Sequence, residues 1–240
     1  LFGLGIGGVG GASAARASAD STRFRFARKE GGARFIATDG RFFLSRGDRR
    51  YDCIILSSPP PVNLQWNRFY TREFFECARR SLNPGGVFAF THPSSENYLT
   101  AEQANVLRII ELTLESVFTR VIALPGSTVH FVASDAEVDP ALILTRLKER
   151  GIDAPFVGED YLPYRFTKER REELRADLAR GDGAQVNTDA KPVLPFHELI
   201  LEGSRAGSRI TAGFKMLSRV PPRHGAAQHG VAVRAEEVGH

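Results

Sequence analysis

The chain has 240 residues, 42% of them hydrophobic and 25% charged, which is ordinary for one globular domain with appendages. Its net charge of +4 is carried by residues 203–240, where six basic side chains face two acidic ones. The neutral remainder therefore gives no indication of a nucleic-acid-binding protein. No apolar run approaches the roughly 20 residues of a membrane-spanning helix. The two cysteines, Cys53 and Cys77, do not form the pattern of a disulfide framework and favour a reducing, cytoplasmic compartment.

A glycine-rich stretch opens the chain. Gly5, Gly7, Gly8 and Gly10 suit a loop in which the backbone approaches a ligand closely, because glycine has no Cβ. A loop of this kind normally follows a strand and opens a helix, yet only residues 1–4 precede this one. We therefore expect the chain to be a fragment. The alternative interpretation is a flexible terminus rich in glycine and alanine.

Three carboxylates are candidates for binding a nucleoside. In dinucleotide-binding folds an acidic residue follows the glycines by about 20 residues. Asp20 comes early and Glu30 lies at about this distance, and each can equally be a surface carboxylate. Residues 33–38 are predicted to form a strand that ends at Asp39 and Gly40. There Asp39 can accept a hydrogen bond from a purine amino group, or it can serve an Asx turn or a helix cap.

The central part of the chain has the pattern strand, loop, helix, turn and strand. A continuous apolar run predicts a buried strand at 52–57, and three prolines in the loop 57–66 end it. A helix capped by Thr71 is predicted over 71–82, and a turn then leads to a second buried strand at 86–91. Such a unit needs a right-handed crossover in a parallel sheet, where ligands bind beyond the carboxyl ends of the strands. The loop is therefore expected to carry the chemistry.

The second half of the chain continues this alternation. Apolar residues at helical spacing predict a helix over 101–118, opened by a capping box of Thr100 and Gln103. The further predicted elements are strands at 120–124 and 128–134 and helices at 139–150 and 167–180. We therefore predict an α/β fold with a mainly parallel sheet and a C-terminal antiparallel strand pair.

The domain limits follow from the same patterns. One domain is predicted over 1–202, with residues 1–32 as its truncated or irregular N-terminal part. Residues 203–240 have no periodic apolar face and are expected to form a basic, disordered tail.

Several short segments share a family resemblance. They are DGR at 39–41, YDCIIL at 51–56, NRFYTREFF at 67–75, LNPGGV at 82–87, SSENY at 94–98 and NTD at 187–189, followed by Pro192 and Val193. Together they resemble the spermidine synthase (polyamine aminopropyltransferase) family, most closely its bacterial branch fused to membrane segments. The resemblance covers about residues 33–201.

The resemblance implies a Rossmann-like fold of the class I methyltransferase type. It implies decarboxylated S-adenosylmethionine, or S-adenosylmethionine, as co-substrate and a polyamine-type amine such as putrescine as acceptor. The glycine loop would then hold the nucleoside, Asp20 or Glu30 its ribose, and Asp39 beside Gly40 its adenine. The parent protein would be cytoplasmic, or tethered to the inner membrane in a longer form, and a homodimer. No metal is expected, because the six histidines lack ligand spacing.

The chain departs from the family at the loop after the central strand. The family carries there an aspartate just before a proline, and this position is Pro60. The family also has an acidic residue earlier in this loop, and this position is Ser57, which Ser58 follows. None of these side chains accepts a proton at neutral pH, and a well-placed base contributes roughly 10²–10⁴-fold in rate.

Four side chains are candidates to replace the missing aspartate: Tyr70, His92, Glu96 and Asp189. Tyr70 can equally be a packed aromatic, and His92 a loop histidine before a proline. A polyamine acceptor favours an acidic cleft, so carboxylates are expected to gather near Pro60. They are Glu96, Glu102, Glu159, Asp160 and Asp189.

Three functions stay open at this point. The chain is a transferase with altered chemistry, a nucleoside-binding or regulatory protein without catalysis, or a methyltransferase that uses S-adenosylmethionine. Gathered carboxylates favour the first, and a cleft without them favours the other two.

Overall fold

The computed structural model describes residues 4–7, 36–96, 98–139, 142–152 and 167–205. Its strands are β1 (Leu4–Gly7), β2 (Tyr51–Leu56), β3 (Leu82–Pro93), β4 (Arg120–Leu124) and β5 (Thr128–Ser134). Its helices are α1 (Gly40–Arg46), α2 (Leu64–Asn67), α3 (Arg72–Arg80), α4 (Ala101–Glu115), α5 (Ile143–Glu149), α6 (Lys168–Ala179) and α7 (Leu194–Arg205). The strands form one sheet in the order β1-β2-β3-β5-β4.

The α/β class and the C-terminal antiparallel pair are confirmed, and the predicted helices and strands of the central and second parts lie close to their predicted ranges. The helix α2 was not predicted, since it lies mostly within the predicted loop 57–66. The sheet formed by the described strands is mixed, however, where a mainly parallel one was predicted. Within the described strands β2 and β3 pair in parallel, whereas the other three pairings are antiparallel. One reason is that β1 enters antiparallel and occupies the position beside β2.

The strand predicted near 34–38 is a second correction. Residues 36–39 are not in a strand, and residues 34 and 35 lie outside the described ranges. The physical reason is that Asp39 caps α1, so this segment is held at the start of a helix and does not pair with the sheet.

Aromatic side chains hold the central crossover together. Phe74 and Phe75 of α3 are fully buried against Phe88 and Phe90 of β3, with 5.5 Å between the ring centroids of Phe75 and Phe88. Burying each such ring stabilises the fold by roughly 1.5–3 kcal/mol. This packing fixes α3 on the sheet, and with it the loop that connects β2 to α3.

The turn into β3 depends on a glycine. A Cβ at Gly86 would lie 2.9 Å from the carbonyl oxygen of Asn83 and 3.0 Å from that of Tyr51. Real Cβ atoms do not approach backbone oxygens so closely, so a side chain here would push β3 away from β2. Gly86 thus allows β2 and β3 to pair closely at the start of their parallel ladder.

The C-terminal part of the described chain packs on α4, through both α6 and α7. The predicted domain limit at 202 falls inside α7, which continues to Arg205. The tail beyond residue 205, like the expected truncated segment up to residue 32 apart from β1, lies outside the described ranges. Among the helices that the structure describes, none is long and apolar enough to span a membrane.

Candidate functional site

The candidate site lies at the carboxyl ends of β2 and β3, as the crossover predicts. Tyr70 anchors the loop that follows β2, because its hydroxyl donates to the carbonyl oxygens of Ser58 (3.2 Å) and Pro59 (3.0 Å). Its side chain is only 1% exposed, and this burial raises the pKa of Tyr70 well above its usual range. Tyr70 therefore packs and donates, and its phenol is a poor proton acceptor.

Pro60 has a local role in the same loop. Its carbonyl oxygen accepts a hydrogen bond from the backbone N–H of Val62 at 2.8 Å, so the chain turns here. Ser57 is exposed and Ser58 and Pro60 are half-buried. None of the three side chains carries an ionisable group, so the loop itself supplies no base.

His92 at the end of β3 is paired with Glu198 of α7, and both are 2% exposed. The Nδ1 atom of His92 lies 3.0 Å from the carbonyl oxygen of Pro93, which can only accept, so Nδ1 carries a hydrogen. The Nε2 atom lies 2.7 Å from Oε1 of Glu198. Two such atoms bond only when one proton lies between them. His92 is therefore not available to take a second proton from a substrate amine.

Asn187 joins the NTD segment to the turn between α2 and α3. Its Nδ2 donates to Oδ1 of Asn67 (2.9 Å) and to the carbonyl oxygen of Tyr70 (2.8 Å). Its Oδ1 accepts from the backbone N–H groups of Val193 (2.9 Å) and Leu194 (3.4 Å). Since Asn187 is fully buried, these four bonds satisfy its whole amide, and the residue is a structural link.

Asp189 is held by a two-pronged ion pair with Arg41, one arm of which measures 2.9 Å. The hydroxyl of Thr71 also donates to its Oδ1 at 2.8 Å. The hydrogen bond from Arg41, with that from Thr71, lowers the pKa of Asp189 below its usual range in spite of partial burial. A carboxylate stabilised in this way is a weak proton acceptor.

Asp39 is a helix cap. Its Oδ1 accepts from the backbone N–H of Phe42 at 2.9 Å and from the guanidinium of Arg68 at 2.8 Å. The expectation that it ends a strand is wrong, since Asp39 opens α1 with Gly40 as the first helical residue. Its role in binding adenine stays a prediction, which requires its bond to Arg68 to be shared with the ligand or broken.

The predicted acidic cleft is described only in part. Glu96 lies in the loop after β3, half-exposed, with 4.0 Å between its Oε1 and a guanidinium nitrogen of Arg170. Glu102 lies in the first turn of α4. Glu159 and Asp160 lie outside the described residues, so the gathering of these carboxylates stays a prediction.

The predicted nucleotide loop begins as a strand. Gly5 and Gly7 lie in β1, where they pair with Ile55 and Cys53 of β2. This differs from the predicted loop, because a backbone in register with β2 is held in the ladder. Gly8, Gly10, Asp20 and Glu30 lie outside the described residues, and a cofactor-binding role for all of these residues stays a prediction.

Glu198 and Arg41 are site residues that the sequence analysis did not single out. The signal for Glu198 was its place on the apolar stripe of α7, four residues after Leu194 and three before Leu201, which are both buried. A carboxylate on such a stripe predicts a buried partner. Arg41 belongs to the DGR segment, but nothing near it in the sequence indicates its pairing with Asp189. In the ranges that the structure describes, no group of three or more His, Cys, Asp and Glu side chains can hold a metal ion.

The described fold is α/β, with polar side chains gathered where β2 and β3 end. No family model matches the sequence. The chain is 29% identical over 136 residues to a polyamine aminopropyltransferase of Pyrobaculum calidifontis, covering 52% of this chain and 46% of that protein. It is 30% identical over 105 residues to polyamine aminopropyltransferase 2 of Pseudomonas aeruginosa, covering 41% of this chain and 28% of that protein. The resemblance to the spermidine synthase family is thereby confirmed, and the chain spans less than half the length of these relatives.

Solved structures are similar at lower identity. A probable spermidine synthase from Corynebacterium glutamicum matches with a TM-score of 0.39 and 18% identity, over 63% of this chain and 52% of that one. Spermidine synthase from Thermotoga maritima matches with a TM-score of 0.42 and 15% identity, over 59% of this chain and 48% of that one.

Proposed function

We propose that the chain is part of a spermidine-synthase-like transferase that moves an aminopropyl group from decarboxylated S-adenosylmethionine to a polyamine-type amine such as putrescine. The observation that carries the proposal is the sequence similarity to two aminopropyltransferases. The carboxyl ends of β2 and β3 are its reaction site, as in other sheets with a parallel crossover. S-adenosylmethionine is the alternative donor.

The reaction sets clear demands on the site. The amine nitrogen attacks the carbon beside the sulfonium, a C–N bond forms, and the C–S bond breaks with its electrons going to sulfur. The attacking amine must be neutral and must lose a proton to a base. In this chain Pro60 stands at the position where the family has the aspartate that takes this part.

Among the candidate replacements we assign the base to Glu96. Tyr70 donates its hydrogen to the loop and His92 already shares a proton with Glu198. Asp189 has a lowered pKa because it is bonded to Arg41. Glu96 is a half-exposed carboxylate in the loop after β3, on the edge of the sheet where the candidate site lies.

The test of this assignment is Glu96→Gln, with Glu149→Gln, an exposed carboxylate at the end of α5, as a matched control. Turnover should fall by about 10²-fold or more in Glu96→Gln and stay within about twofold in the control. Binding of methylthioadenosine, measured by calorimetry, should be unchanged in both. Equal turnover in the two variants would remove Glu96 from the mechanism.

A second candidate function is nucleoside binding without catalysis. Pro60 and the structural bonds of Tyr70, His92 and Asp189 favour it, because they leave few groups for proton transfer. Calorimetry with methylthioadenosine, S-adenosylmethionine and its decarboxylated form separates the candidates. Binding with no transfer to putrescine supports the second function, and no binding of any of the three contradicts both.

The proposal extends to the cell. We extend it to a cytoplasmic protein, or to a longer parent tethered to the inner membrane, with a homodimer as one assembly to be tested. Light scattering of the purified chain tests the dimer, and a monomer mass at high concentration would exclude it.

A further inference from the structure

A cavity of about 240 Å³ lies between α4, α6 and the edge strand β4. The side chains of Ile122 and Leu178 give it apolar walls, and Leu178 is fully buried. The polar lining comes mainly from α6. Such a concave space with an apolar floor and a few polar groups is the usual form of a small-molecule site.

The basic side chains that line this cavity all belong to α6. Lys168, Arg171 and Arg175 are spaced by three and four residues, so they lie on one face of α6. Two carboxylates also line the cavity, and both have partners. Glu172 lies 3.7 Å from Lys168, and Glu111 accepts from Arg108 at 2.6 Å.

The two remaining guanidinium groups carry charge that no near carboxylate matches. In the part of the chain that the structure describes, neither Arg171 nor Arg175 forms an ion pair. Arg175 attracts the carboxylate of Glu111 through space, but Glu111 is bonded to Arg108, and burial raises the pKa of Glu111. The cavity thus has an excess of positive charge on its α6 side.

A buried donor in the same cavity lacks a partner. The Nε–H group of Arg171 is buried and makes no hydrogen bond. Native structures keep few such donors, and each one indicates a missing acceptor. Arg171 also lines the cavity, and its guanidinium fork matches the oxygens of a phosphate.

We propose that the cavity between α4, α6 and β4 binds a phosphate group, with Arg171 and Arg175 as its ligands and Ile122 and Leu178 as the contact for an apolar body attached to it. The site is independent of the proposed transferase function, because none of its residues belongs to the loops after β2 and β3. Free phosphate and an organic phosphate share this chemistry.

The test is calorimetric titration of the purified chain, at low ionic strength, with phenyl phosphate and with inorganic phosphate. We expect phenyl phosphate to bind with a Kd of about 1 mM or tighter, and Arg171→Gln and Arg175→Gln each to weaken it about tenfold or more. Tighter binding of phenyl phosphate than of inorganic phosphate identifies an organic phosphate, and equal binding identifies free phosphate.

Arg180→Gln is the matched control, because Arg180 lies just after α6 and is ion-paired with Asp177. It removes the same charge and should change the Kd by less than about twofold. No binding up to about 10 mM would overturn the proposal, as would an equal loss in Arg180→Gln, which indicates a non-specific effect of charge. Should Arg171→Gln fail to fold, the exposed Arg175 carries the test by itself.

Discussion

Replacing Asn187 by alanine should destabilise the protein strongly. The change removes four hydrogen bonds, three of them buried, and takes a partner from Oδ1 of Asn67, the carbonyl oxygen of Tyr70 and the N–H groups of Val193 and Leu194. Each buried polar group left unsatisfied costs about 1–3 kcal/mol. With partial relaxation of the four groups we expect a loss of about 3–5 kcal/mol in the free energy of unfolding. This is a large share of the roughly 5–15 kcal/mol of a typical domain.

Urea unfolding followed by circular dichroism measures this loss. With a slope of about 2–3 kcal/mol per molar urea, the midpoint should fall by about 1–2 M. Asn83→Ala is the control, because Asn83 donates at the surface to Asp52 at 2.8 Å and should lose less than about 0.5 kcal/mol. If Asn187→Ala lost no more than the control, the amide network would not be what holds the NTD segment.

Further predictions concern the carboxylates. The pKa of Asp189 is lowered by Arg41, so its contribution to stability is present above the unfolded pKa of about 3.9 and is lost as the pH falls through the lower, folded value. Asp189→Asn should lower the free energy of unfolding at pH 7 and should reduce the further fall of this free energy below about pH 5. If urea unfolding showed the same fall below about pH 5 in the variant and in the unaltered chain, this prediction would be refuted. Glu198→Gln keeps a hydrogen bond to Nε2 of His92 and should change the free energy of unfolding little. Glu198→Ala leaves this buried nitrogen without a hydrogen-bond partner and should lower the free energy of unfolding by about 3–5 kcal/mol. Equal losses in these two variants would argue against the shared proton.

The sequence predicted the elements whose signals are local. Thr71 and Thr100 cap α3 and α4 as their patterns predict, with bonds to the N–H groups of Phe74 (3.4 Å) and Gln103 (3.2 Å). The capping box is only half formed, since the side chain of Gln103 accepts from Ser95. Helix periodicity and caps act within a few residues, so a single sequence contains all that is needed to read them.

The partners of the site residues could not be predicted in the same way. Arg41 meets Asp189 across 148 positions, and His92 meets Glu198 across 106. From the sequence, Asp39 can equally be a ligand-binding residue or a helix cap. Its ion pair with Arg68, 29 positions away, is visible only in the folded structure. Such pairs depend on how the elements pack, and only the packing shows that the candidate bases Tyr70, His92 and Asp189 are already engaged.

The measurement that tests the account most directly is aminopropyl transfer from decarboxylated S-adenosylmethionine to putrescine. With Pro60 in place of the acid and Glu96 as a less well-placed base, we expect turnover below that of an aspartate-bearing relative and a further loss in Glu96→Gln, with methylthioadenosine still bound. Pro60→Asp by itself should restore little, because the neighbouring prolines stiffen the loop, and a misplacement of about 1 Å can cost a hundredfold. Ser57→Asp with Pro60→Asp should raise the rate. Turnover by the unaltered chain equal to that of the relative, and unaffected by Glu96→Gln, would contradict the account.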